Sequence, residues 1–225
     1  SGMDNRLNAV DSFAALLVSS ARENNQTWPF THMPDFASRA AKARIASQAV
    51  AIQQYMYLEE HMRERWEDFA YTNNEWVQNV IDVERDDTIF RHQGYKPFVG
   101  YDATAWPKDI WYEGSTYGEE TSPVGTGPYS PTWQTYPLLP NGRSPAYNFN
   151  AIQHKTLGPG IEHVIHHQNV IIGPVINSED SVDEEYVTMI CFVRVGCSLI
   201  LLPSRQTHSL SRFFSLLNFT VAGTE

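Results

Sequence analysis

The chain reads as an α+β protein, with long N-terminal helices followed by an antiparallel sheet that carries long aromatic and proline-rich loops. Apolar residues recur at helical spacing as far as about residue 82. Most of the prolines and glycines, with a dense set of aromatics, crowd residues 93–145, and short β-branched runs between glycine, proline and acidic turns occupy the chain from Ile152 onward.

The first element runs from Asp4 to about Asn24, where Leu7, Val10, Ala14, Leu17 and Ala21 alternate spacings of three and four and so form one apolar stripe. Asn24, Asn25 and the Trp28-Pro29 pair end it. Asp35 reads as the N-cap of a second, alanine-rich helix, with Phe36, Ala40, Ala43, Val50 and Tyr57 along one side. A third helix is expected over Glu59–Asp82, its Met62, Trp66, Phe69, Trp76 and Val80 facing a core and its charges facing water. Strands are expected at Val164-Ile165, Val170-Ile171-Ile172, Pro174-Val175-Ile176 and Val187 to Leu202. This divides the chain into a stalk helix and turn (1–34), a domain (35–203) and an atypical tail (204–225).

A formal net charge of -10 repels phosphates and anionic headgroups, which argues against nucleic acid and lipid surfaces as partners. Much of that charge sits in one run, Glu179 to Glu185, which reads as a solvated loop, since it lacks the spacing and glycine of a calcium loop. The two cysteines, Cys191 and Cys197, would lie about 20 Å apart on one strand, so they pair only if the chain turns near Gly196. No secretory signal opens the chain, and Ser1-Gly2-Met3 reads as a cloning scar or the cut edge of a longer protein. The apolar stretch Tyr186–Pro203 contains Arg194 and is too short to span a bilayer, so it reads as buried strand.

His154, His163, His166 and His167 are the residues that look most like chemistry. On a helix the last three would share a face, but their β-branched surroundings after Gly158-Pro159-Gly160 read as a turn entering a strand, where His163 and His167 share a face and His166 points away. A zinc-dependent hydrolase on His154, His163 and His167 stays as an alternative, although two histidines flanking a glutamate are missing. No serine elbow, activated cysteine or phosphate loop appears, so no cofactor, metal or catalytic residue is assigned. The better candidate is a small-molecule site lined by Trp106, Trp111, Tyr112, Tyr129 and Trp133. The plainer account is that these rings fill space between stalk and sheet. A carbohydrate-binding module using exposed tryptophans is a further alternative.

Ala105-Trp106-Pro107-Lys108-Asp109-Ile110-Trp111-Tyr112 and the run Gly127-Pro128-Tyr129-Ser130-Pro131-Thr132-Trp133-Gln134-Thr135-Tyr136-Pro137 resemble the extracytoplasmic sensor region of diatom receptor-type guanylate/adenylate cyclases. Trp28-Pro29-Phe30, Pro34-Asp35-Phe36, Glu75-Trp76-Val77-Gln78 and Tyr147-Asn148-Phe149-Asn150 point the same way, so that the resemblance covers roughly residues 10–190. It implies a PAS-like sensor of the Cache or CHASE type, placed between membrane spans ahead of a cytoplasmic cyclase domain. It carries over neither a ligand nor catalytic residues, and it fades after Glu185. The reading that follows is a receptor input domain on the extracytoplasmic face, tied to the membrane only through flanking segments. The stripe at Leu7, Val10, Ala14 and Leu17 would meet a partner helix or a second protomer as a homodimer.

Overall fold

The computed structural model describes residues 2–47, 49–86, 108–112, 126–138, 147–154, 157–167, 171–177, 187–195 and 215–222. It is a mixed helix and sheet structure. In chain order the elements are α1 (Gly2–Glu23), α2 (Phe36–Ser47), β1 (Ala49–Met56), α3 (Arg63–Thr72), α4 (Trp76–Asp86), β2 (Thr132–Tyr136), α5 (Leu157–His167), β3 (Ile171–Asn177), β4 (Val187–Val195) and β5 (Ser215–Ala222). The strands form one antiparallel sheet of order β2-β1-β5-β4-β3.

Helix α1 ends where the asparagines predict. Asn25 takes φ 52, Gln26 N–H donates to the Ala21 carbonyl at 2.8 Å and Asn25 N–H to that of Arg22 at 3.0 Å, a Schellman closure with asparagine in the left-handed position. The stripe Val10, Ala14, Leu17 and Ala21 is buried, with Phe13 joining it. Its rings and methyls meet α2, where Phe13 lies edge-on to Phe36 at 5.7 Å, and α1 also packs over β4. The segment is therefore part of the common core and not a separate stalk. The stripe is occupied within the chain, so its described residues offer no face to a second protomer.

The expected second helix is half helix and half strand. Phe36–Ser47 is helical, whereas Ala49–Met56 is β1, the neighbour of both β2 and β5, so Val50 lies on a strand and Tyr57 beyond it. The described side chains from Ala51 to Met56 are buried on both faces, which erases the two-residue alternation that would have marked a strand. Asp35 takes φ 55 and so does not have the extended backbone of an N-cap. The expected third helix is two: the Asn73 backbone N–H and side-chain amide both donate to the Phe69 carbonyl and close α3 before α4 begins.

Residues 157–167, expected to enter a strand, form α5. Ile161 and Val164 are buried one helical turn apart, while Glu162, His163 and His166 are exposed. His154 closes the start: its Nδ1 accepts the Leu157 N–H at 3.3 Å and its carbonyl the Gly158 N–H at 2.8 Å, and Pro159 falls in the first turn, where no N–H is needed. A Cβ on Gly158 would stand 2.3 Å from the Ile152 carbonyl oxygen, so only glycine fits there.

Two cores flank the sheet. Ile52 and Met56 join the larger one with α1, α2, α3 and α4, and Tyr55, three residues from Ile52 and so on the opposite face, joins a smaller one with Ala151, Ile161 and Val164. The strands expected around 171–176 and from Val187 are present as β3 and β4. Residues 215–222, set apart by sequence as tail, pair along their length with β1 and β4 as β5. The expected boundary at 203 therefore does not separate the tail from the sheet. Cys191 sits on β4, opposite Ile172 of β3 and Phe219 of β5. Cys197 and the acidic run 179–185 lie outside the described residues.

Truncation after Pro203 removes a strand from the interior of the sheet and leaves β1 and β4 with unpaired edges. Such a chain should lose cooperative unfolding and aggregate. A truncated chain that unfolds cooperatively with an unchanged midpoint would show that β5 does not belong to the sheet.

Candidate functional site

The described members of the sequence-selected aromatic set, Trp111, Tyr112, Tyr129 and Trp133, lie on β2 and the segments that meet it. Trp133 is fully buried at the centre of the larger core, its ring 5.3 Å from Trp66, 5.7 Å from Phe69 and from Trp76, and 5.9 Å from Tyr147. Its indole N–H donates to the Thr31 carbonyl at 2.8 Å. Gln134, also fully buried, grips the next residue but one from both sides: its Oε1 accepts the Met33 N–H at 2.9 Å and its Nε2 donates to the Met33 carbonyl at 3.1 Å. Trp133 thus packs rather than lining a cavity.

Tyr129 is buried where the chain approaches β2, and its hydroxyl donates to Glu60 Oε2 at 2.6 Å. The Gly127 N–H donates to the same oxygen. The Arg63 guanidinium lies 5.6 Å from the centre of the Tyr129 ring and its Nε donates to Glu67 Oε1 at 2.9 Å, an oxygen that also accepts the Ile110 N–H. The Tyr129 hydroxyl, then the Gly127 amide, hold the Glu60 carboxyl below its ordinary value. Burial first, and the Glu60 hydrogen bond second, push the Tyr129 phenol up.

Trp111 is half-buried, its ring tilted against that of Phe149 at 4.9 Å, and its indole N–H donates to the Tyr147 carbonyl. Tyr112 is half-buried beside it, and Trp106 lies outside the described residues. What joins these pieces is a pair of asparagines that sequence reasoning left without a role. Asn148, at φ 55, accepts the Trp66 indole N–H on Oδ1 and donates from Nδ2 to the Lys108 carbonyl, while its backbone N–H donates to the Thr132 carbonyl and its carbonyl accepts the Trp111 N–H. Asn150 accepts the Ser130 N–H on Oδ1 and donates its own N–H to the Trp111 carbonyl. Their signal in the sequence was the Tyr147-Asn148-Phe149-Asn150 string itself.

His154, His163 and His166 form no metal-binding cluster, and the side chain of His167 lies outside the described residues. His154 caps α5 with its ring against Phe149, and His163 and His166 project from the exposed side of α5. Among the described residues no group of three or more histidine, cysteine or carboxylate side chains stands close enough to hold a metal ion. Nor is any described helix long and apolar enough to cross a membrane. The chain matches no family model and no curated protein.

Two substitutions test this arrangement. Gln134→Leu leaves the Met33 N–H and carbonyl buried without partners, and should destabilise the fold by about 2–4 kcal/mol in denaturant unfolding. An effect near zero would show that the clamp is replaceable by packing. The Glu60 carboxyl titrates lower folded than unfolded, so its contribution is complete above the unfolded pKa and lost as pH falls through the folded one. Tyr129→Phe should therefore flatten the acid limb of the stability curve, and an acid limb identical to that of the native chain would exclude the link.

Proposed function

We propose that this chain is the extracytoplasmic ligand-sensing domain of a membrane receptor that controls a cytoplasmic nucleotide cyclase, and that it has no catalysis of its own. The observation that carries the reading is the winding of the sheet. An antiparallel order β2-β1-β5-β4-β3, with α1 and α2 ahead of it, is the order of a PAS-like sheet, the fold that the resemblance to diatom receptor cyclases implies. The strings that carry the resemblance support it further, because they supply the β2 strand, its Gln134 grip on Met33 and the two asparagine hubs.

The proposed ligand is a small organic molecule that meets the exposed members of the sequence-selected aromatic set. Trp111 and Tyr112 keep partly exposed surface for it, while Tyr129 and Trp133 hold the segment in place from behind. Because α1 shares the core with the sheet, binding energy spent on shifting β2 biases the packing of α1, and through α1 the segments that lead to the membrane.

Sequencing the full transcript tests the receptor assignment: membrane spans on either side and a cyclase domain are the expected result, and a transcript without them overturns it. For the sensing step, a panel of small organic molecules is screened by thermal unfolding. A true ligand at a hundred times its Kd stabilises by about 2.7 kcal/mol, enough to raise the midpoint by several degrees. A panel spanning amino acids, sugars and organic acids that leaves the midpoint unmoved counts against a small-molecule site.

A further inference from the structure

Asparagine followed two residues later by serine or threonine, with no proline between, is the acceptor pattern for oligosaccharide transfer to an asparagine amide. The chain carries it at Asn25-Gln26-Thr27 and at Asn218-Phe219-Thr220. A pattern this short recurs by chance, so what the fold does with each copy decides between them.

Asn25 stands in the turn that closes α1, at φ 52, with its backbone N–H engaged by the Arg22 carbonyl. Its side chain is exposed and forms no hydrogen bond with the described residues. Asn24 shows the alternative, since its Nδ2 donates to the Ser20 carbonyl at 2.8 Å and is tied to the helix end. Thr27 is exposed as well, and its hydroxyl is equally unheld. Between the two, Gln26 Oε1 accepts the His32 N–H at 2.9 Å, so the turn is fastened through its middle residue while both acceptor groups stay in water. On a helix, residues two apart face away from each other, and the left-handed backbone at Asn25 removes that restriction.

Asn218 is placed otherwise. It lies within β5, opposite Gln53 of β1 on one side and Phe192 of β4 on the other. A strand paired along both edges leaves its sheet only when the core opens, so the folded chain does not present this copy to an enzyme.

We propose that Asn25 is the attachment point of an N-linked oligosaccharide and that Asn218 is not. The donor is an oligosaccharide carried on a lipid pyrophosphate. The Asn25 Nδ2 bonds to the anomeric carbon of the first sugar, the bond from that carbon to the phosphate oxygen breaks, and the lipid pyrophosphate leaves with the electron pair. One amide proton passes to the transferring enzyme's base, and nothing is oxidised or reduced. The proposal rests on the extracytoplasmic reading, because the transfer takes place on the export route. Nothing in the core is disturbed by it, since only an exposed side chain is used.

The test forces export, so that the site is examined apart from the location. The full chain is translated behind a cleavable import signal in the presence of microsomes that hold the transferase. The imported chain is expected to gain mass in a single step. A glycan-removing amidase should reverse the gain and leave aspartate at position 25, read by mass spectrometry of the peptide that follows Arg22. Thr27→Ser should keep the modification, whereas Thr27→Ala and Asn25→Gly should abolish it, glycine being chosen because it tolerates the positive φ. Asn218→Gln should change nothing. An imported chain without carbohydrate overturns the proposal, as does carbohydrate that survives Asn25→Gly or a second chain that disappears with Asn218→Gln. A native chain bare of carbohydrate in its own cell, beside an imported chain modified at Asn25, sinks the extracytoplasmic reading alone and leaves the site standing.

Discussion

The fold depends on how β2 is held from both ends of its short length. Trp133 and Gln134 are adjacent in β2 and are both fully buried. Each also reaches back about a hundred residues in sequence to the same turn, Trp133 to the Thr31 carbonyl and Gln134 to both backbone groups of Met33. The hydrophobic gain of sinking an indole, about 200 Å² of surface and about 5 kcal/mol, is thereby coupled to backbone bonds that fix where the entry to α2 must lie. Polar partners, not packing alone, choose one register among several that would bury the same rings. Trp66 repeats the device through Asn148.

Much of the helical part was legible. The stripe of α1 and its asparagine stop follow from spacing and from the tolerance of asparagine for positive φ, and the aromatic periodicity of Trp66, Phe69, Trp76 and Val80 gave a correct core, though not the break at Asn73. The sheet was legible only where a strand is β-branched and bounded by turns, as in β3 and β4. Strands β1 and β2 escaped because they are buried on both faces, which leaves no alternation to read, and alanine ahead of β1 prolonged the helical signal. α5 was mistaken for a strand entry because its β-branched residues and Gly158-Pro159-Gly160 speak for a turn, whereas the burial of Ile161 and Val164 on one face decides for a helix.

The aromatic set shows how a resemblance and a binding site can be different things. The Gly-Pro-Tyr and Trp-Gln positions that make the string recognisable are occupied in holding backbone: Gly127 leaves room for the Glu60 backbone amide, Tyr129 anchors Glu60, and Trp133 and Gln134 hold the turn before α2. Such residues are constrained by the fold and would persist through changes of ligand. Positions that discriminate among ligands would sit beside them, with surface to spare, as Trp111 and Tyr112 do.

The place of β5 bears on how the molecule is made. Because this strand lies between β1 and β4, the pairing that unites the two halves of the sheet joins Ala49–Met56 to residues far downstream. During synthesis, α1, α2 and the β1–β2 pair can collapse around Trp133 long before β5 emerges, yet β1 must wait with one edge open. Closure is then a late, non-local event with a high loop-entropy cost, slow by comparison with the helical half. A nascent chain of this design is exposed to mispairing for as long as its middle strand is missing, and benefits from any partner that covers the waiting edge.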